Sequence, residues 1–471
     1  PRIIFVLPAL MGTILLFLIQ PLLRMLSAGV DVVMRRKKVP NSLGSPSYDA
    51  GHFSSYLRIL RHNPNYRRYW LSSCISQIGD WFNYIAIFVL LNQLTGTGQA
   101  VSWFLIAKYL PPAVLGPVAG VIADKLSRKK ILVTCDLLRA LLVLTYLLIQ
   151  SAEYVWVVYL LAFTQESIWA FYHPARQATV PNLCSREQLS IVNGLSGASW
   201  SVMLAFGAAL GGFVTAHFGW QAAILADCCS FLLSAALMLT VLIPQREKQP
   251  PAAKTFALAR ITGWHDLQEG FSYIKARPKV MALLTVKSSW ALSGGMLVML
   301  AVFGEQVFAQ ENSAGQGGLS GIFFSMRGLG AAVGPIIAWR LFGDGIPAMR
   351  KTIGGAFFLS CGAYIFFSQA PNMLLAAFWV FWGHLSGSVQ WVFSTTLLHR
   401  QVEDRFRGRL FSSEMALMTL MLSLSTWCTG AALDMGVDPR TIVLVLALLF
   451  LLPGTGWFLY LRFLNRTGNA A

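Results

Sequence analysis

The residues of this chain best placed to do chemistry are ionisable groups inside long apolar runs. Asp80 lies mid-run, and at helical spacing Gln77 and Tyr84 share its face, with Ser73 above them. Glu166 lies mid-run further on, with Trp169 and His173 three and seven residues away. A charged group at the centre of a bilayer is costly and is a functional candidate by default. Asp80 and Glu166 are therefore candidate proton-coupling residues, each able to exchange a proton as its surroundings turn from wet to dry. The competing reading is that each accepts hydrogen bonds permanently and fixes packing.

Asp136 and Arg139 stand at i and i+3 and can pair locally. Asp227 is expected to cap or to pack. Lys287, Arg327 and His384 are the polar exceptions of the second half, and a cationic second half facing an acidic first half would suit an anionic or catecholate group. Lys287 could equally snorkel to the cytoplasmic interface. Glu414 lies near Arg407 and Arg409 and reads as part of a gate at the cytoplasmic rim. Gln77, Tyr84, Trp169, Lys287, Arg327 and His384 are the candidate substrate-cavity residues, and bulky aromatic residues such as Trp103, Trp290, Phe323, Trp382 and Trp391 could wall such a cavity.

The elements that must position these groups are membrane helices. Of 471 residues 55% are hydrophobic and 12% charged, against about 25% charged in soluble domains. Apolar stretches of about 20 residues, the length that crosses a bilayer core, alternate with short polar joints. In lipid every backbone donor and acceptor must be satisfied internally, which forces helices. The runs fall at 3–24, 68–94, 99–124, 130–151, 154–174, 189–215 and 220–243, then at 280–304, 318–342, 352–370, 373–397, 410–433 and 440–463. The expected organisation is an accessory helix and linker (1–66), a six-helix half (67–243), a cytoplasmic linker (244–279) and a second six-helix half (280–471).

The net charge of +17 is concentrated in alternate joints: Arg67 and Arg68, Lys125 to Lys130, the long linker, Arg350 and Lys351, and Arg400 to Arg409. This is the pattern of loops retained in the cytoplasm, not of a nucleic-acid surface, and it puts the C-terminus in the cytoplasm. Arg35 to Lys38 place the end of run 3–24 there too. That run reads as an accessory thirteenth helix or as a signal-like anchor with no part in the work of the other helices. The seven cysteines read as free, buried, small hydrophobes. No Cys/His cluster has metal spacing and no nucleotide-binding fingerprint is present, so neither a metal, a cofactor nor an enzymatic activity is expected.

Gly116 to Lys130, with Gly120, Asp124 and Arg128 at its defining positions and Ser127 where glycine is usual, resembles the loop signature of the major facilitator superfamily. Gly194 and Gly207 to Gly212 look like the antiporter motif of its exporters, with Ala208 in place of proline and Met203 in place of a glycine. Gly79-Asp80-Trp81, Asp136 with Arg139, Phe171 to Pro181, Glu269-Gly270 and Arg407 to Ser412 resemble, in order, the drug:proton antiporter-3 branch, which includes macrolide efflux proteins and enterobactin exporters. Leu115-Gly116-Pro117 recurs as Val333-Gly334-Pro335, as two repeated halves would require.

The resemblance implies an all-α major facilitator bundle in a bacterial inner membrane. It also implies proton-coupled export of a small amphipathic molecule such as a drug or siderophore, and a gate built on Gly120, Asp124, Arg128, Asp136, Arg139 and Glu414. The expected partners are membrane lipid, a small-molecule substrate and protons, with the chain acting as a monomer. Two alternatives stay open: a lysophospholipid or other lipid transporter on the same fold, and a non-transport membrane assembly protein.

Overall fold

The computed structural model describes residues 53–185, 188–243, 277–308, 315–343, 345–402 and 404–466. Among them there are helices and turns and no strand. In chain order they are α1 (Phe53–His62), α2 (Pro64–Thr95), α3 (Gly98–Lys125), α4 (Arg128–Thr145), α5 (Val155–Leu183) and α6 (Leu189–Leu239). After the linker come α7 (Pro278–Ala291), α8 (Met296–Val302), α9 (Gly318–Phe342), α10 (Ile346–Ser368), α11 (Met373–Gln401), α12 (Asp404–Asp434), α13 (Pro439–Leu449) and α14 (Leu451–Arg466). Seven of the described helical stretches are long and apolar enough to cross a membrane by length and composition. A helix overlies every apolar run expected between 68 and 463; run 3–24 and linker residues 244–276 lie outside the described residues.

Local chemistry sets the helix ends. Asn63 caps α2 by accepting from the Tyr66 amide at 2.9 Å, with Pro64 at the first helical position and Gly96 closing the helix at φ 63°. Asn372 does the same for α11 through the Leu375 amide, and Asp438, followed by Pro439, for α13 through the Thr441 amide.

Four expectations need correction. Part of the stretch read as a linker is a helix: α1 turns Ile59 inward against Tyr66 and Tyr69 and leaves Arg58 and Arg61 outside. The runs 189–215 and 220–243 join almost without a loop, because Gly219 adopts φ 84° and ψ 162°, a turn that side chains resist. The second of them stops at Leu239. Run 280–304 is broken at 292–295 and resumes as α8, which ends in a π-turn through Val307. All seven cysteines are free, but Cys229 and Cys428 are exposed rather than buried.

Helix α2 lies along α6, and α3 along α5. In the second half α9 and α10 both pack on α11. Two pairings cross between the halves: α6 against α9, and α3 against α12. The candidate residues of the first half sit on α2 to α6, and those of the second on α7, α9, α11 and α12.

Candidate functional site

A network of charges occupies the middle of the first half. Arg139 on α4 is 1% exposed; its Nη2 donates to Asp136 at 2.5 Å, and its Nη1 stands 3.7 Å from Asp80 on α2. Its guanidinium also lies over the rings of Tyr172 (4.6 Å) and Phe231 (4.3 Å). A flat delocalised cation tolerates such apolar walls better than an ammonium does. Asp136 accepts a further hydrogen bond from Ser234 Oγ on α6 at 2.7 Å, and Ser234 is in turn joined to Ser72 of α2 at 2.8 Å. Three helices are thereby tied through one carboxylate. Beside this, Lys108 on α3 is paired with Glu166 on α5 and sits 5.5 Å above the Tyr84 ring.

Asp227 on α6 completes the group. It is fully buried, and its Oδ1 rests where a Gly79 side chain would begin, 2.6 Å from an added Cβ. Only glycine at 79 lets α6 bring a carboxyl so close to the backbone of α2, one residue from Asp80.

The second half is arranged differently. Lys287 on α7 donates to Glu414 on α12 at 2.7 Å, with side chains 4% and 0% exposed. Trp391 covers the ammonium at 4.5 Å. Arg327 on α9 has its guanidinium 5.9 Å from Trp81 and 5.7 Å from Phe324, and its buried Nη1 makes no hydrogen bond. His384 on α11 meets the Tyr364 hydroxyl through Nδ1 at 2.9 Å. These two residues line a small internal cavity with Trp290, Ser293, Leu297 and Phe450.

The halves meet at one end of the bundle. Cα-level contact joins Gly212 of α6 to Gly321 of α9, where a Cβ on either would stand within 2.8 Å of the other's Cα. Gly317 likewise approaches Thr215 and Val89. Small residues permit such approach between membrane helices. Near the same end Gln93 bonds to Gln316, Gln306 to Asn92 at 3.2 Å, and Asp434 to the Gln99 amide at 3.4 Å. Deeper in, Ser325 donates to the Ala205 carbonyl at 2.8 Å, and Trp81 packs on Phe324.

The structure thus brings Asp80, Asp136 and Arg139 together and puts Glu166 beside them. The expected stripe of Gln77, Asp80 and Tyr84 divides. Gln77 bonds back to the Ser73 carbonyl at 2.8 Å, whereas Tyr84 is 2% exposed inside a cluster of Phe88, Phe104 and Phe324, so it walls no open cavity. Trp169 stacks on His173.

Lys287 does not snorkel but is buried against Glu414, because a buried charge needs an opposite one, and the side-chain surroundings of Arg407 and Arg409 lie outside the described residues. Arg128 donates to the Ala178 carbonyl, fixing the loop before α4 onto the end of α5. Gly120 and Asp124 fall on α3, and their side-chain surroundings lie outside the described residues. Gly207 and Gly211 of the glycine-rich segment face Trp81 and Phe82 of α2, and Gly212 faces α9. Lys108 escaped the sequence reading, although a lone lysine in an apolar run beside an acid-bearing one is a signal. Glu305 did too: it accepts from Ser320 Oγ (2.7 Å) and the Gly317 amide (3.0 Å), holding the start of α9.

Residues 69–426 match the family model of the Major Facilitator Superfamily. The chain is 25% identical over 243 residues to the uncharacterized transporter YkuC of Bacillus subtilis (strain 168), a match covering 51% of this chain and 56% of that protein. It is 27% identical over 219 residues to macrolide efflux protein A of Streptococcus pyogenes, covering 46% and 53%. The chain therefore spans little more than half the length of these two relatives in the matched region. A structure of the nucleoside transporter NupG superposes with a TM-score of 0.65 over 84% of this chain and 98% of that one, at 13% identity, a likeness of fold. The chain, helical throughout its described elements and built for the membrane, belongs to the major facilitator superfamily.

Proposed function

We propose that this protein is a secondary active exporter that moves a small amphipathic molecule out of a bacterial cell in exchange for protons. The observation that carries the reading is the charge network of the first half: Asp80, Asp136, Glu166 and Asp227 gathered around Arg139 and Lys108. Acids inside a membrane protein that outnumber their cations are natural proton carriers. Asp80 has the most accessible side chain of the four acids, 26% exposed against 13% for Glu166. The likeness to macrolide efflux protein A supports export as the direction.

The alternation of basic joints puts the ends of α3 and α9, at Lys125 and Phe342, on the cytoplasmic side. The end sealed by Gly212, Gly321, Gln93 and Gln316 is then external. On this reading the external end is the closed one, the state in which an exporter loads from the cell. The two halves, 67–243 and 280–471, rock about the α6–α9 and α3–α12 contacts.

The test is transport in proteoliposomes with an imposed pH gradient, using a macrolide and a panel of amphipathic dyes as cargo. The wild type should concentrate cargo only while the gradient lasts. Asp80→Asn with Glu166→Gln should abolish uphill transport while leaving downhill exchange. Uphill transport by that double variant would overturn the proton reading. Equal transport with the gradient collapsed would point to a uniporter.

A further inference from the structure

The four carboxyls of the first-half network are not equally supplied with partners. Glu166 has Lys108. Asp136 has Arg139 at 2.5 Å and Ser234 at 2.7 Å. Asp80 has Arg139 at 3.7 Å and contact with the outside. Asp227 has none of these. Its Oδ2 is buried without a hydrogen bond, and its Oδ1 has only Ser230 Oγ at 3.4 Å, a hydroxyl whose own hydrogen goes to the Asp227 carbonyl at 2.8 Å. Leaving an ionised oxygen buried and unpaired is among the costliest arrangements a protein can hold. A neutral carboxyl removes that cost, and its O–H can point to Ser230 Oγ.

The charges that face Asp227 lead the same way. From α2 comes Asp80, from α4 Arg139, and from α3 Lys108. Arg139 and Lys108 are already engaged by Asp136 and Glu166, so with four acids and two cations the group carries two surplus negative charges unless protons are bound. Asn83 of α2 turns its buried amide toward Asp227 without reaching hydrogen-bond geometry, and Tyr146 next to α4 keeps a buried hydroxyl without a hydrogen bond near this group.

We infer that Asp227 is the resident proton site of this transporter and that Asp80, one residue from the glycine against which Asp227 lies, is the group through which that proton exchanges with the aqueous cavity. The inference rests on the proton-coupled reading above for its purpose, but not for its measurement. Gly79 is part of the device, since any side chain there would displace Ser230 and Asp227.

Infrared spectroscopy on the full chain in lipid bilayers at neutral pH tests it without any cargo. A protonated buried carboxyl gives a C=O stretch separate from carboxylate bands, and the stretch shifts on exchange into D₂O. The wild type should show such a band, and Asp227→Asn, which matches the neutral acid in shape, should lose it while keeping its melting temperature. Asp80→Asn should keep the band but slow its shift in D₂O.

Absence of the band from the wild type, or its survival in Asp227→Asn, overturns the assignment. An unchanged exchange rate in Asp80→Asn overturns the relay. Should Asp227→Asn fail to fold, the wild-type band and its exchange in Asp80→Asn still decide. A band that behaves as stated in a protein that ignores the pH gradient would retain the proton site and sink proton-driven export.

Discussion

The two halves handle buried charge in opposite ways. In the first, acids outnumber cations in a network drawn from α2 to α6, and Asp80 is its most accessible acid. In the second, one lysine and one glutamate are matched and capped by Trp391, and a guanidinium is left among aromatic rings. A matched, dry pair has no reason to exchange protons, and its worth is positional, fixing α7 to α12. An unmatched group on facing helices can change its proton count as the helices move. Charge in the membrane therefore means different things within one molecule, and the number of partners per group distinguishes them.

The sharpest break of this comparison is to unmatch the matched pair. Glu414→Ala leaves Lys287 buried without its counter-charge and should cost about 3–5 kcal/mol, read as a large drop in melting temperature in detergent. The double variant Lys287→Met with Glu414→Leu should recover most of that loss. Asp80→Asn, by contrast, removes a half-open partner 3.7 Å away and should cost less than about 1 kcal/mol while stopping proton-driven transport. If Glu414→Ala melts like the wild type, the pair is no pillar and the contrast between the halves fails.

The next test acts on the seam between them. Gly321→Leu would drive a side chain into the Gly212 backbone, 2.7 Å from where its Cβ would sit. In a background without other cysteines, cysteines at Gln93 and Gln316 should cross-link readily. Gly321→Leu should lower that yield about tenfold, equivalent to about 1.4 kcal/mol. Undiminished cross-linking would mean that this end does not open at the α6–α9 crossing.

Much of this was legible in the sequence because membrane helices announce themselves by length and apolarity, and because acids within them are rare. Asp80, Asp136, Arg139 and Glu166 stood out on those grounds. What could not be read was pairing across helices. Nothing local to Glu414 indicates Lys287, 127 residues away, whereas Arg407 and Arg409 are its near cations in sequence. Nothing near Glu166 indicates Lys108, and Asp227 resembles a cap until Gly79 is placed against it. Tyr84 shares a helical face with Asp80 at the level of spacing, but a long aromatic side chain goes to the nearest rings. The turn at Gly219 was hidden for the opposite reason, since one glycine does what a loop usually does.

The smallest effect expected is at Arg327, and it is informative for being small. Its guanidinium contacts Trp81 and Phe324 near 6 Å and makes no ion pair among the described residues, so Arg327→Gln should give up at most about 1 kcal/mol of cation–π attraction. Its melting temperature should stay close to that of the wild type, well above that of Glu414→Ala. A charge held where α6 and α9 meet without a counter-ion among the described residues is available to something else. Arg327→Gln should therefore weaken transport of an anionic dye more than that of a neutral dye of the same shape, while Arg327→Lys, which keeps the charge, should retain part of the difference. If Arg327→Gln instead destabilises the fold as strongly as loss of Glu414, the guanidinium belongs to the scaffold, and both halves would then use their cations to hold helices together.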